Sequence, residues 1–232
     1  MTSTLLPALL LLGAGAVAAQ RLPKIQLVYT DPNGTAFDLG CPGFLRQQVD
    51  PGRHKQDIAE TVRRMPEFQA RWDKEGTRYL AAAMREVGMR YPYTEVQVTL
   101  TVCPTVNPMS APLLMNVRPY LSSANNPMPD WQFARVVFHE LMHTYILPVR
   151  RVSELRSKKY AAEPQVTLVH LHVAALEKFV LTKLGEKDKL RELDEHYRAR
   201  SPAGYRRAWE IVNTEGHEAF IKELKLARRQ MR

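Results

Sequence analysis

Two histidines four residues apart, with a glutamate directly after the first, stand in the segment Val136-Val-Phe-His139-Glu140-Leu-Met-His143-Thr-Tyr145. On an α-helix, residues four apart project from the same face, so both imidazoles can reach one ion. Neutral imidazole is a ligand for divalent metals, and a carboxylate beside the first ligand can take a proton from a water that the metal has acidified. The spacing therefore supplies His139 and His143 as metal ligands and Glu140 as a base. The flanks agree with a buried helix: no proline interrupts the segment, the intervening residues are uncharged, and Val136, Val137 and Phe138 precede it. Buried imidazoles and carboxylates are costly without partners, and a metal ion would satisfy them.

His139-Glu140-x-x-His143 with its uncharged flanks resembles the zincin metallopeptidases. The resemblance implies a Zn2+ cofactor and hydrolysis of a peptide or protein substrate, with His139 and His143 as ligands and Glu140 as general base acting on a zinc-held water. It also implies a mixed sheet before the motif helix and a further ligand after it. The match covers about a dozen residues, with a compatible order of elements over residues 24–184. The histidine-ended extension of the metzincins is absent after His143.

Catalytic zinc usually has three protein ligands and one water. After His143 the candidates are Glu163, His170, His172 and Glu177. Glu163 lies 20 residues beyond His143, a separation that resembles the thermolysin-like gluzincins, where a glutamate on the next helix closes the site. Pro164 and Thr167 depart from that pattern. Glu163, Thr167, His170, Ala174 and Glu177 share one helical stripe, surrounded by Val166, Leu168, Val169, Leu171, Val173, Leu176, Phe179 and Val180. So apolar a helix is expected to be buried, with its polar stripe facing something polar inside. Glu163 is the favoured third ligand. His170 is the alternative, as ligand, as support for a ligand or as a transition-state donor. His172 points to another side and reads as a hydrogen-bonded core histidine. Glu177 reads as a supporting or solvent-facing group. Tyr160, Tyr205, Arg206 and His217 are candidates for stabilising an oxyanion, with Tyr205 and Trp209 also spaced as a packing pair.

These groups need elements to hold them. Residues 24–29 and 94–102 alternate as strands, and 113–117 reads as a third strand at an edge, flanked by Pro112 and Pro119. Residues 31–34 make a turn and 35–55 a loop. Asp57 to Val87 reads as helix, with Pro66 opening a second helix that Gly88 ends. Asp130 caps the motif helix, which Pro148 stops. Glu163-Pro164 opens the next helix, ending near Gly185, and shorter helices follow over about 187–199, 202–214 and 216–230. The order predicts an α+β fold: a small N-terminal mixed sheet with a backing helix, then a helical C-terminal half carrying the motif helix.

The chain has 232 residues, 45% hydrophobic and 25% charged, which is ordinary globular composition. Residues 1–19 read as a signal peptide. Leu5 to Val17 is an apolar run too short to span a bilayer comfortably, and small residues at 16–19 fit cleavage after Ala19. The expectation is an exported protein, periplasmic or secreted, with a single domain over 20–232 and no transmembrane segment in the mature chain. In such a compartment Cys41 and Cys103 could form a disulfide. Lys and Arg number 33 against 24 Asp and Glu, a formal net charge of +9. That favours anionic envelope polymers as partners. The paired cations, such as Arg150-Arg151, are scattered and read as solvated helix faces, so no nucleic-acid partner is expected.

Overall fold

The computed structural model describes residues 21–29, 50–104 and 107–230. The signal segment, the turn at 31–34, and Cys41 with its pairing to the buried Cys103 lie outside the described residues.

The fold is α+β, as the order of elements predicts. Strand β1 (Lys24–Val28) buries Ile25 and Leu27 and turns its alternate residues outward. Strand β2 (Glu95–Thr101) contributes Val98 and Leu100 to the same core. The two strands are parallel, with Leu27 opposite Val98. Strand β4 (Leu113–Asn116) runs parallel to β2, and the two-residue β3 (Met109–Ser110) pairs antiparallel with β4, giving the order β1-β2-β4-β3. β4 is thus internal, not the edge strand its flanking prolines suggested. Pro112 falls in the turn between β3 and β4 and Pro119 lies beyond β4, so neither removes a donor from the β4 ladder.

A parallel pair needs a crossover connection, and two helices supply it here. Helix α1 (Pro51–Arg71) begins inside the segment that reads as a loop. Pro51 is tolerated because the first helical position needs no N–H donor, and Asp50 caps the end by accepting from the Arg53 N–H at 2.9 Å. Pro66 does not open a new helix: it lies within α1 on an exposed face, where the carbonyl it leaves without a donor can meet water. The irregularity comes later, as a π-helical turn over Trp72–Gly76, and α2 (Thr77–Val87) then ends at Gly88, whose φ of 76° needs glycine. At Gly76 a Cβ would come within 2.1 Å of the Trp72 ring, and that ring is 1% exposed. The backbone here lies flat against a tryptophan that has no room to move.

The helical half comprises α3 (Asp130–Tyr145), α4 (Gln165–Lys183), α5 (Lys187–Arg200), α6 (Ala203–Glu215) and α7 (His217–Gln230). α4 is apolar nearly all round and therefore sits at the centre, packed against α2, α3, α5, α6 and α7. α3 lies between α4 and the β3–β4 side of the sheet. His172 leaves α4 on the side away from α3 and meets Glu223 of α7 at 2.6 Å, as a hydrogen-bonded core histidine should. Glu223 also accepts from the Ser153 hydroxyl at 2.7 Å and the Leu155 N–H at 2.9 Å. No described helix is long and apolar enough to cross a membrane.

Two measurements probe this frame. Gly76→Ala should lower unfolding free energy by about 1–3 kcal/mol in urea titrations, because the added methyl must displace a packed ring. Burial alone would raise the Glu223 pKa, but its bonds to His172, Leu155 and Ser153 outweigh that and take it from the ordinary 4.5 to about 2. A depressed carboxylate contributes stability in full above the unfolded-state pKa and loses it as pH falls through the folded-state value. Glu223→Gln should therefore be less stable than wild type at neutral pH, and the gap should close between about pH 4.5 and 2.

Candidate metal centre

His139 and His143 project from one face of α3, and His170 reaches them from the stripe of α4. One nitrogen from each lies within 4.8 Å of the others, and all three rings are buried. The Nε2 atoms of His139 and His143 are 3.3 Å apart. Ring centroids are 5.0 Å apart for His139 and His143, 4.7 Å for His143 and His170, and 5.3 Å for His139 and His170. Three buried histidines with convergent nitrogens can hold a metal ion.

The outer edges of the rings are also held, which sets what the inner edges can do. His170 donates from Nδ1 to the Val166 carbonyl at 2.6 Å, and its Nε2 is buried with no hydrogen-bond partner. His139 turns Nδ1 toward Glu177 Oε1 at 3.2 Å. Glu177 is fully buried, and it also accepts from Arg135 at 2.7 Å and from the Tyr197 hydroxyl at 2.5 Å. Arg135 and His139 are one helical turn apart on α3, while Glu177 lies two turns beyond His170 on α4. Ala174, between His170 and Glu177 on the same stripe, adds no bulk where the two helices meet. At His143, the Arg150 guanidinium lies 2.6 Å from Nδ1. A guanidinium can only donate, so here Nδ1 accepts and the ring proton sits on Nε2, facing His139; holding a metal through Nε2 requires that proton to move to Nδ1 and the guanidinium to turn away.

Charge follows from these contacts. Burial opposes protonation of His143 and His170, and the neighbouring His139 adds to it, so their pKa values fall to about 2 and about 4. Both are neutral in the working range, the form that binds a metal. Burial also opposes charging His139, but Glu177 outweighs it and the net direction is up. Burial pushes Glu177 up, yet the combined field of His139 and Arg135 holds its carboxyl far below the usual range. Glu140 is 8% exposed, and among the described residues it makes no hydrogen bond or ion pair. Burial raises its pKa, His139 offsets part of this, and Glu177 reinforces it.

The sequence-derived candidates are thus sorted by geometry. His139, His143, His170 and Glu140 come together. Glu163 does not. It accepts both Arg207 Nε and Nη2, at 3.0 and 2.7 Å, near the surface. The reason is local: α4 starts at Gln165 behind an extended Pro164, so Glu163 precedes the helix and is not carried onto its stripe. Thr167, His170, Ala174 and Glu177 are on the stripe and all are buried. Of the four oxyanion candidates, only Tyr205 reaches the centre, its ring 3.8 Å from that of His170 and 6.1 Å from that of His139. Tyr160 lies against Phe220, His217 beside Glu218, and Arg206 on the Arg198 carbonyl. Tyr205 and Trp209 do not pair; Trp209 stacks on Tyr197 at 4.5 Å. Sequence reasoning missed Arg135, Arg150 and Tyr197. Arg135 was detectable, being a charge one turn before His139 on an otherwise apolar face. Comparison with protein-family models, with curated proteins and with solved structures gives no match.

Metal content measured by mass spectrometry after dialysis should separate the two candidate third ligands. Wild type should retain about one ion per chain. His170→Ala should lose it and Glu163→Ala should keep it.

Proposed function

We propose that the protein is an exported zinc-dependent hydrolase acting on a peptide or protein substrate. The observation that carries the reading is Glu140: a buried carboxylate beside three convergent imidazoles, without a protein partner among the described residues. A purely structural metal site has no use for such a group, whereas hydrolysis needs a base at that position. Zinc is the metal this donor set suits. Two nitrogens each about 2.0–2.1 Å from a tetrahedral ion lie about 3.3 Å apart; the Nε2 atoms of His139 and His143, now joined by an N–H···N contact at 3.3 Å, have that spacing once the proton between them is displaced. Three histidines also leave the fourth position open, as catalytic zinc sites do.

Zinc bound there would supply Lewis acidity and lower the pKa of water. The chain's own residues supply the rest. Glu140 takes the proton from the attacking water and passes it to the leaving nitrogen, a task helped by a pKa moved toward neutrality. Tyr205, half-buried with its ring over His170, is the candidate donor to the developing oxyanion. Glu177, Arg135 and the Val166 carbonyl keep two of the rings turned inward. The apolar segment before Gln20 supports export, and the net charge of +9 supports attraction to anionic envelope polymers.

Cleavage of a mixed peptide library tests the reading. Wild type should cut, a chelator should abolish cutting, and zinc should restore it. Glu140→Gln should keep its zinc and lose about 10²–10⁴ in kcat. Retained zinc with no cleavage by wild type would instead make this a zinc-stabilised binding module. Equal rates for the two proteins would remove Glu140 from the chemistry.

A further inference from the structure

Beyond the end of α3 the chain folds into a 3-10 turn, Val149–Arg151, and then a π-helical turn, Leu155–Lys159. The buried Val149 anchors the first turn; Arg151 and Val152 face solvent, while Arg150 is turned in against His143. The pair Arg150-Arg151 is therefore not one solvated patch. Arg156 of the second turn donates from Nη1 to the Arg150 carbonyl at 3.0 Å, so both guanidiniums are fixed to the same short stretch.

Neither guanidinium has a carboxylate within ion-pair distance among the described residues. The Glu154 carboxylate is taken by Lys158 at 2.7 Å. Glu223 is the acidic group Arg156 feels, but its oxygens are occupied by His172, Ser153 and the Leu155 N–H. The Nε atoms of both arginines are buried with no hydrogen-bond partner. The Arg150 side chain has a single hydrogen-bond contact, to the nitrogen of a neutral ring, which satisfies one N–H and cancels no charge. Arg150 is half-buried, and arginine keeps its charge there. A half-buried guanidinium on His143 and a second one fixed to the Arg150 carbonyl, both with unsatisfied donors, are what an incoming anion would relieve. The guanidinium fork matches a carboxylate with two parallel bonds.

We propose that Arg150 and Arg156 form a carboxylate-binding subsite beside the three histidines, so that the peptide bound there carries a free carboxylate close to the bond that is cut. Cleavage rests on the hydrolase reading; carboxylate binding does not. The carboxylate is either the C-terminus of a peptide or an acidic side chain, and both are recognised by the same two forks.

The test is calorimetric binding to zinc-supplemented Glu140→Gln protein, in which a bound peptide stays intact. The probes are N-acetyl-trialanine with a free C-terminus, its C-terminal amide, and the same amide with glutamate as the central residue. The free acid should bind about tenfold more tightly than the plain amide, the scale of a charge-assisted hydrogen bond. If the glutamate amide equals the free acid, a carboxylate from either source is accepted; if it equals the plain amide, only the C-terminus is. Either supports the subsite. Adding Arg150→Gln should erase the preference, and Arg150→Lys should recover part of it. Thermal unfolding of each variant checks that it folds, and Arg156→Gln gives the same reading should Arg150→Gln fail to fold. Equal binding of all three probes overturns the proposal, as does a preference that survives both glutamine variants. A carboxylate preference without cleavage by wild type would leave the subsite standing and remove the hydrolase.

Discussion

The arrangement depends on one buried carboxylate. Glu177 is fully excluded from water, and a lone ion there would be strongly unfavourable. It is tolerable because Arg135 and His139 of α3 and Tyr197 of α5 all turn toward it. The Arg135 and Tyr197 hydrogen bonds are short and directional, and His139 lies at ion-pair distance, so the three helices can meet in few ways. A buried ion pair contributes little net stability compared with well-packed apolar residues, but breaking it leaves an uncompensated charge. Its role here is to fix register. With Glu177 engaged, His170 lies two turns back along α4 at the level of His139 and His143, and the three nitrogens converge.

The frame around that contact explains why it holds. α4 is apolar on nearly every side, which forces it into the centre of the helical half and leaves its polar stripe nowhere to go but inward. α3 is buried from both sides, by the sheet and by α4, so its imidazoles cannot turn to water. The small residue Ala174 lets the helices approach between His170 and Glu177. Packing thus delivers the site, and the polar contacts select the rotamers within it.

Much of this was legible in the sequence, and the failures share a cause. Periodicity gave β2, α3 and the stripe on α4, because burial imposes a repeat that side chains record. The spacing of His139, Glu140 and His143 is local to one helical turn, so it reads directly. The choice of Glu163 over His170 failed on a boundary: an extended Pro164 puts Glu163 outside the helix. The reading of 35–55 as loop failed at its end for the same kind of reason, since a proline that looks like a breaker is at home in the first turn of α1. Arg150, Arg135 and Tyr197 acquire meaning only when separate helices are brought together. Nothing in Arg150-Arg151 as a dipeptide distinguishes the half-buried residue from the exposed one.

The two glutamates of the centre separate into different roles by environment alone. Both are buried, and burial by itself would raise the pKa of each. Glu177 accepts from a guanidinium and a hydroxyl and lies at ion-pair distance from His139 Nδ1, so its charged form is favoured. Glu140 meets no donor among the described residues, and the negative Glu177 nearby makes its own charge less favourable still. The charged form is therefore favoured at one carboxylate and disfavoured at the other. On the hydrolase reading the two roles are coupled. The ion that keeps His139 turned inward is also one of the groups that moves the Glu140 pKa toward the range where a base is effective. A change at Glu177 would then disturb ligand orientation and base strength together, although Glu177 would touch neither the metal nor the substrate.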